Sequence, residues 1–166
     1  MAASQPIASL VHELGLLEET IVLLPTAQSL ISEGIAMLAP ELLLTDSGAA
    51  AVTAAGVEFD LAEALDVHRA RMPLTRVPLN AALLLYEGGA TTAAVQAYAE
   101  RWALATPERA AHMVRFLEDP TSRSYVVTYS AGLDLCRAYL DGDAARYRRL
   151  LGDQVRVGEL QTNIRS

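Results

Sequence analysis

A single carboxylate interrupts a long apolar stretch of this chain. Between Thr20 and Pro40 the only charged residue is Glu33. Residues three and four positions apart on a helix are surface neighbours, so this side chain is predicted to lie beside Ser29, Leu30, Ala36 and Met37. An ionised carboxylate without a partner is costly in such surroundings, so the group must be paired, protonated or bound to a cation. Glu33 is therefore the first candidate for chemistry.

Two tyrosines form a second candidate site. Tyr125 and Tyr129 are one helical turn apart and share a predicted stripe with Gly132, where another backbone can approach closely. A phenol can donate a hydrogen bond to an oxyanion or to a substrate carboxylate, which would be a catalytic role. The alternative, favoured by residue statistics, is that both rings lie in the core with their hydroxyl groups paired at its edge.

Histidine offers a third candidate. His12 and Glu13 begin like the His-Glu-x-x-His zinc motif, in which two histidines hold the metal and the glutamate is the general base. Leu16 stands where the second histidine should be, and so short a match often arises by chance. His68 and His112 have no second ligand at helical spacing on an apolar face. We therefore interpret the histidines as surface or boundary residues.

Helices are the elements that must position these side chains. Apolar residues recur at helical spacing, and no alternation of period two is sustained. The clearest helix starts are Thr106-Pro107-Glu108, before a helix over 109–117, and Asp119-Pro120, before a segment running to about Leu140. Further predicted helices cover residues 61–71, 79–86 and 95–102.

The expected fold is all-α, an irregular bundle of about six to seven helices in a single domain over residues 1–166. Residues 45–56 are rich in small side chains, which is typical of a loop with a weak helix or of an interdomain hinge, and we favour the loop. Residues 155–166 are predicted to be a mobile tail.

Composition limits the partners and the compartment. The net charge is −7, so we expect no nucleic-acid partner, because a phosphate backbone would be repelled. Cys136 is the only cysteine, which excludes an internal disulfide and favours a reducing compartment. The first residues lack a secretory pattern, and prolines and polar residues interrupt the apolar run from Ile21 to Leu44. We expect a cytoplasmic protein with no membrane partner.

Four stretches carry a pattern that extends over most of the chain: residues 17–36 with Glu33-Gly34, residues 80–90, residues 101–104, and residues 115–132 with both tyrosines. In this order they resemble the C-terminal part of a largely uncharacterised family of bacterial helical proteins related to gluzincin-type zinc peptidases. In that family a His-Glu helix and a following histidine segment supply the first metal ligands and the base. A later Glu-Gly dipeptide supplies the third ligand.

The resemblance implies that Glu33 is a zinc ligand and that Tyr125 and Tyr129 face the substrate cleft as catalytic residues. The earlier element has no match, because His12-Glu13 lacks the histidine that should follow. Catalytic zinc usually needs three protein ligands and an open position. We therefore expect no cofactor in this chain, with zinc confined to complete family members, and no peptidase activity of its own.

Two hypotheses about function follow. The first is a truncated or degenerate metallopeptidase-like domain, inactive alone, whose missing helices leave an apolar cleft to be covered by self-association or by a partner. The alternative is a non-catalytic helical module that binds a ligand or partner, with Glu33 in an ion pair with Arg69, Arg71 or Arg123. An open polar cleft beside Glu33 would favour the first, and a bidentate arginine contact in a closed core the second. A transcription-factor ligand domain is a third, weaker alternative.

Overall fold

A computed structural model of the chain describes Gly15, Leu24 and residues 26–164. These residues contain α-helices, short 3-10 segments and no strand, so the predicted all-α class is confirmed. The helices are α1 (Ala27–Leu43), α2 (Asp46–Ala54), α3 (Leu61–Arg71), α4 (Val77–Tyr86), α5 (Thr92–Trp102), α6 (Pro107–Glu118), α7 (Val126–Leu140), α8 (Ala144–Gly152) and α9 (Val157–Ile164). The 3-10 segments are Met72–Arg76 and Arg123–Tyr125.

The described residues group into two compact units. The first unit contains the chain up to Leu38 and from Ser124 onward, and the second unit is Ala39–Arg123. Compact units can belong to one folding domain, and the single domain expected from the chain length stays a prediction. The core of the first unit includes Ile31, Ile35, Leu38, Val126, Leu133, Cys136, Leu140, Leu150 and Leu160. The core of the second unit includes Val77, Ala81, Ala82, Val95, Ala99, Ala110, Val114 and Leu117.

One of the two clearest predicted helix starts is confirmed and the other is wrong. Thr106 caps α6, since its hydroxyl accepts a hydrogen bond from the Arg109 backbone N–H at 3.4 Å. At Asp119 the side chain instead accepts a hydrogen bond from the Thr121 backbone N–H at 2.8 Å, which closes a turn. A 3-10 segment follows this turn, and α7 begins only at Val126.

Two segments expected to be irregular contain helices. In the stretch expected to be a loop or hinge, Thr45 caps α2 by accepting a hydrogen bond from the Gly48 backbone N–H at 3.2 Å, and the helix buries no residue. The helix agrees with the weak helix expected in this stretch, but it occupies most of the segment that was expected to be a loop. In the stretch expected to be a mobile tail, α9 forms because Leu160 is fully buried and Glu159 accepts a hydrogen bond from the Arg156 backbone N–H at 3.0 Å.

Candidate functional site

A phenol, not a cation, contacts the carboxylate of Glu33. This residue lies on α1 and is half-buried, and Tyr125 lies directly before α7. The Tyr125 hydroxyl donates a hydrogen bond to Glu33 Oε1 over 2.5 Å. That distance is typical of a hydroxyl group donating to an ionised carboxylate, a bond stronger than one between neutral groups. The carboxylate is thus satisfied by a neutral donor from the same unit.

Two of the three arginines named as partners of Glu33 have other contacts. Arg69 Nη1 lies 3.2 Å from Asp66 Oδ1. The guanidinium carbon of Arg123 lies 5.7 Å from the centroid of the Tyr86 ring, a cation–π contact. Arg71 is exposed to solvent. Within the described part of the first unit, no arginine forms an ion pair with Glu33.

Their surroundings favour the neutral form of both tyrosines, of which Tyr125 donates a hydrogen bond. The rings of Tyr125 and Tyr129 meet edge to face, with centroids 5.4 Å apart and planes at 86°. Burial, followed by the hydrogen bond to Glu33 and its charge, raises the pKa of Tyr125 well above its usual range. Burial and the charge of Glu33 also raise the pKa of Tyr129. A phenol with a raised pKa does not act as a base near neutral pH, so the chemistry of this pair is hydrogen-bond donation.

A glycine pair brings these residues together. Gly34 on α1 and Gly132 on α7 lie where the two helix backbones cross. A Cβ atom at Gly34 would collide with the backbone of Gly132 and would lie 2.6 Å from Cys136 Sγ. A Cβ atom at Gly132 would collide with the carbonyl oxygen of Leu30. The absence of both side chains lets the helices approach closely and places Glu33 within reach of Tyr125.

The structure thus joins the three residues for which the resemblance implied a site: Glu33, Tyr125 and Tyr129, here called the Glu-Tyr cluster. The hydrogen bond spans 92 positions of sequence, and no local pattern indicates it. The signal in the sequence was the pair of glycines, of which only Gly132 was singled out as permitting a close approach. Which roles these residues have stays a prediction.

Among the described residues, no set of metal-binding side chains gathers around the cluster. No group of three His, Cys, Asp or Glu side chains suited to a metal ion occurs among the residues that the structure describes. His68 Nε2 lies 3.7 Å from Glu41 Oε1, and His112 is exposed. His12 and Glu13 lie outside the described residues.

An open apolar cavity lies in the second unit. It has a volume of about 340 Å³ and is lined by Asn80, Leu83, Leu84, Gly88 and Tyr98. Leu83 is exposed on the side of α4 that faces away from the buried residues Val77, Ala81 and Ala82. Leu84 lies two helical turns after Val77, at the edge of the buried side, and is exposed to a smaller degree. A helix that is apolar on all sides therefore has only one side covered in this unit.

The exposed apolar surface continues along α5. Trp102 lies one helical turn after Tyr98, which places both on the same helix face, and 52% of Trp102 is exposed. The guanidinium carbon of Arg101 lies 5.0 Å from the centroid of the Trp102 ring. We call Leu83, Leu84, Tyr98 and Trp102 the apolar strip. The sequence predicted helices here, but nothing in it distinguished the covered side of α4 from the open one.

No single described helix combines the length and the apolar character needed to cross a membrane. The segments Ala27–Glu41 and Asp46–Ala54 meet that requirement only when taken together, across an 87° bend.

Compared with protein-family models, curated proteins and solved structures, the chain shows no match. The resemblance to zinc peptidases therefore stays a prediction, and the geometry of the two candidate sites carries the functional proposals.

Proposed function

We propose that this chain is a non-catalytic helical module that binds a partner through the apolar strip. The observation that carries this proposal is the exposure of Leu83 and Leu84 at an open cavity, with Trp102 exposed one helical turn after Tyr98, which also lines that cavity. A contiguous apolar patch of this kind is typical of an interaction site, whereas apolar side chains exposed singly need no explanation. Tryptophan and tyrosine are also the residues that most often dominate binding energy.

The exposed side chains supply a driving force for association. Fully burying a leucine or an aromatic side chain is worth about 1.5–3 kcal/mol relative to leaving it in water. About half of Leu83 and half of Trp102 are exposed, 51% and 52%. Covering the remaining surface of these two side chains alone is therefore worth roughly 1 kcal/mol each. The contribution of Tyr98 and Leu84 adds to this.

The Glu-Tyr cluster supports a structural role over a catalytic one. Tyr125 already donates its hydroxyl hydrogen to Glu33, and the pKa values of both phenols are raised. Proton transfer near neutral pH needs a group that titrates there, and a phenol with a raised pKa does not. The cluster therefore serves to hold α1 and α7 together within the first unit.

The experiment is to bind the apolar dye anilinonaphthalene sulfonate to the full chain at low protein concentration. Trp102 is the only tryptophan, so energy transfer from protein to dye reports binding near the strip. We expect energy transfer in the parent protein and its loss in Leu83→Glu. The matched control is Val67→Glu, because Val67 is exposed to a similar degree, 50%, on α3 of the same unit. Equal energy transfer in both variants would contradict the proposal.

A second candidate keeps the peptidase resemblance, with Glu33 as the remnant of a zinc site. One observation favours it, namely that Glu33, Tyr125 and Tyr129 do lie in one cluster. Zinc content of the purified full chain by elemental analysis tests it. The primary proposal predicts no stoichiometric, tightly held zinc, and zinc that is retained in the parent protein but lost in Glu33→Gln would favour the second candidate.

A further inference from the structure

The two ends of the apolar strip carry opposite charges. α4 and α5 pack together and are joined by residues 87–91 alone, so the two helices run antiparallel. Glu87 therefore lies at the end of the strip next to this connection, and Arg101, beside Trp102, lies at the other end. Both side chains are exposed, and neither forms an ion pair within the described part of the chain.

We infer that a second copy of this chain covers the apolar strip, with the two strips antiparallel about a two-fold axis. This inference rests on the proposed function and names its partner. In a two-fold contact, if residue i of one copy meets residue j of the other, then j also meets i. A strip with an acid at one end and a base at the other is then complementary to itself. Glu87 of each copy meets Arg101 of the other.

The same arrangement gives the cavity an occupant. Gly88 lines the cavity at the Glu87 end of the strip, and Trp102 lies at the opposite end. The two-fold axis brings Trp102 of one copy to the open cavity of the other, where Leu83, Leu84 and Tyr98 offer apolar surface to the indole ring. An aromatic side chain seated in a pocket, ringed by charged groups at the rim, is the usual anatomy of a stable interface.

The first test measures association of the full chain across a wide concentration range by sedimentation equilibrium, with Trp102 emission recorded on the same samples. We expect the mass to rise from one chain to two and the emission to shift to shorter wavelength in parallel, because the indole leaves water. Trp102→Ala lacks the only tryptophan, so its association is measured by mass alone. This variant is expected to associate about thirtyfold more weakly, as for a central anchor residue. Leu83→Glu gives an independent measurement, and Val67→Glu is the control that leaves association unchanged.

The second test concerns the charges at the two ends. Glu87→Arg or Arg101→Glu alone places like charges opposite each other at both ends, and each is expected to weaken association about tenfold. The double variant restores opposite charges at both ends and is expected to return to within about threefold of the parent protein. Arg109→Glu, an exposed charge reversal on α6 of the same unit, is the control. Circular dichroism verifies the helix content of every variant.

Each outcome supports or overturns the inference. A chain that stays monomeric at all concentrations overturns the second copy as partner, and dye binding that still depends on Leu83 then leaves the proposed function intact. Dimers that persist in both Trp102→Ala and Leu83→Glu overturn it as well, since they form through another surface. Failure of the double charge reversal to restore association refutes the antiparallel arrangement.

Discussion

Each unit contains side chains whose polarity does not match their surroundings, and the two units differ in whether those side chains have a partner. In the first unit an acidic group among apolar residues has a hydrogen-bond donor, Tyr125, supplied by the unit itself. In the second unit apolar side chains such as Leu83 face solvent with nothing in the unit to cover them. A polar group satisfied internally contributes to stability, whereas an apolar surface left open contributes to recognition. The difference separates the proposed structural site from the proposed binding site.

The largest expected effect tests the first unit through its glycine crossing. Gly34→Ala introduces a Cβ atom that collides with the backbone of Gly132, which cannot move aside as a flexible side chain would. Overpacking of this kind is expected to lower the free energy of unfolding by about 3 kcal/mol, measured by urea denaturation.

Gly152→Ala is the matched control for the glycine crossing. This glycine also lies in a helix of the first unit, and a Cβ atom there would meet nothing within 4 Å. Alanine has the higher helix propensity, so we expect a change of less than about 1 kcal/mol, and in the stabilising direction. Equal losses at both positions would show that the close approach of α1 and α7 has no energetic importance.

A smaller effect is expected at the hydrogen bond itself. Tyr125→Phe removes the donor to Glu33 and is expected to cost about 1–2 kcal/mol of unfolding free energy, because the acceptor is only half-buried. Glu33→Gln keeps an acceptor oxygen and should cost less than about 1 kcal/mol. Tyr129→Phe is the control, expected within about 0.5 kcal/mol of the parent protein. A double-mutant cycle without coupling between positions 33 and 125 would show that the contact is not formed in solution.

Alkaline pH tests the same cluster without changing the sequence. The folded state raises the pKa of Tyr125 above that of the unfolded chain, which is about 10. A raised pKa means that the folded state holds the proton more tightly, so its contribution to stability is complete below about pH 10 and is lost as the pH rises further. The stability advantage of the parent protein over Tyr125→Phe should therefore shrink above about pH 10. An advantage that stays constant over that range would contradict the raised pKa.

Much of the helical architecture could be predicted from the sequence because its signals are local. Thr106 caps α6 by a contact to a residue three positions away, which a short pattern contains in full. The same reasoning failed at Asp119, because an aspartate can cap a helix or close a turn with similar geometry, and here the turn is the outcome. Local patterns cannot distinguish two local alternatives of similar energy.

The candidate sites depend on contacts that no local pattern contains. The sequence showed that Glu33 is the only charged residue in a long apolar stretch. It did not show which residue donates a hydrogen bond to Glu33, because Tyr125 reaches it only through the crossing of α1 and α7. The apolar strip was missed for a related reason. Residues Val77 and Leu83 are both apolar positions of one helix, and only the packing of the second unit decides which is covered.

The smallest expected effect on stability tests the second unit. Leu83→Gln replaces an exposed side chain and should change the unfolding free energy of the dilute protein by less than about 0.5 kcal/mol. Leu117→Ala, a fully buried leucine of the same unit, is the contrasting variant and should cost about 3 kcal/mol. If a second copy binds the strip, stability of the parent protein rises with concentration, because association stabilises only the folded state. Leu83→Gln should lose that dependence on concentration, while the dilute variant keeps the stability of the dilute parent protein. If the dilute variant is instead destabilised as much as Leu117→Ala, Leu83 belongs to the core.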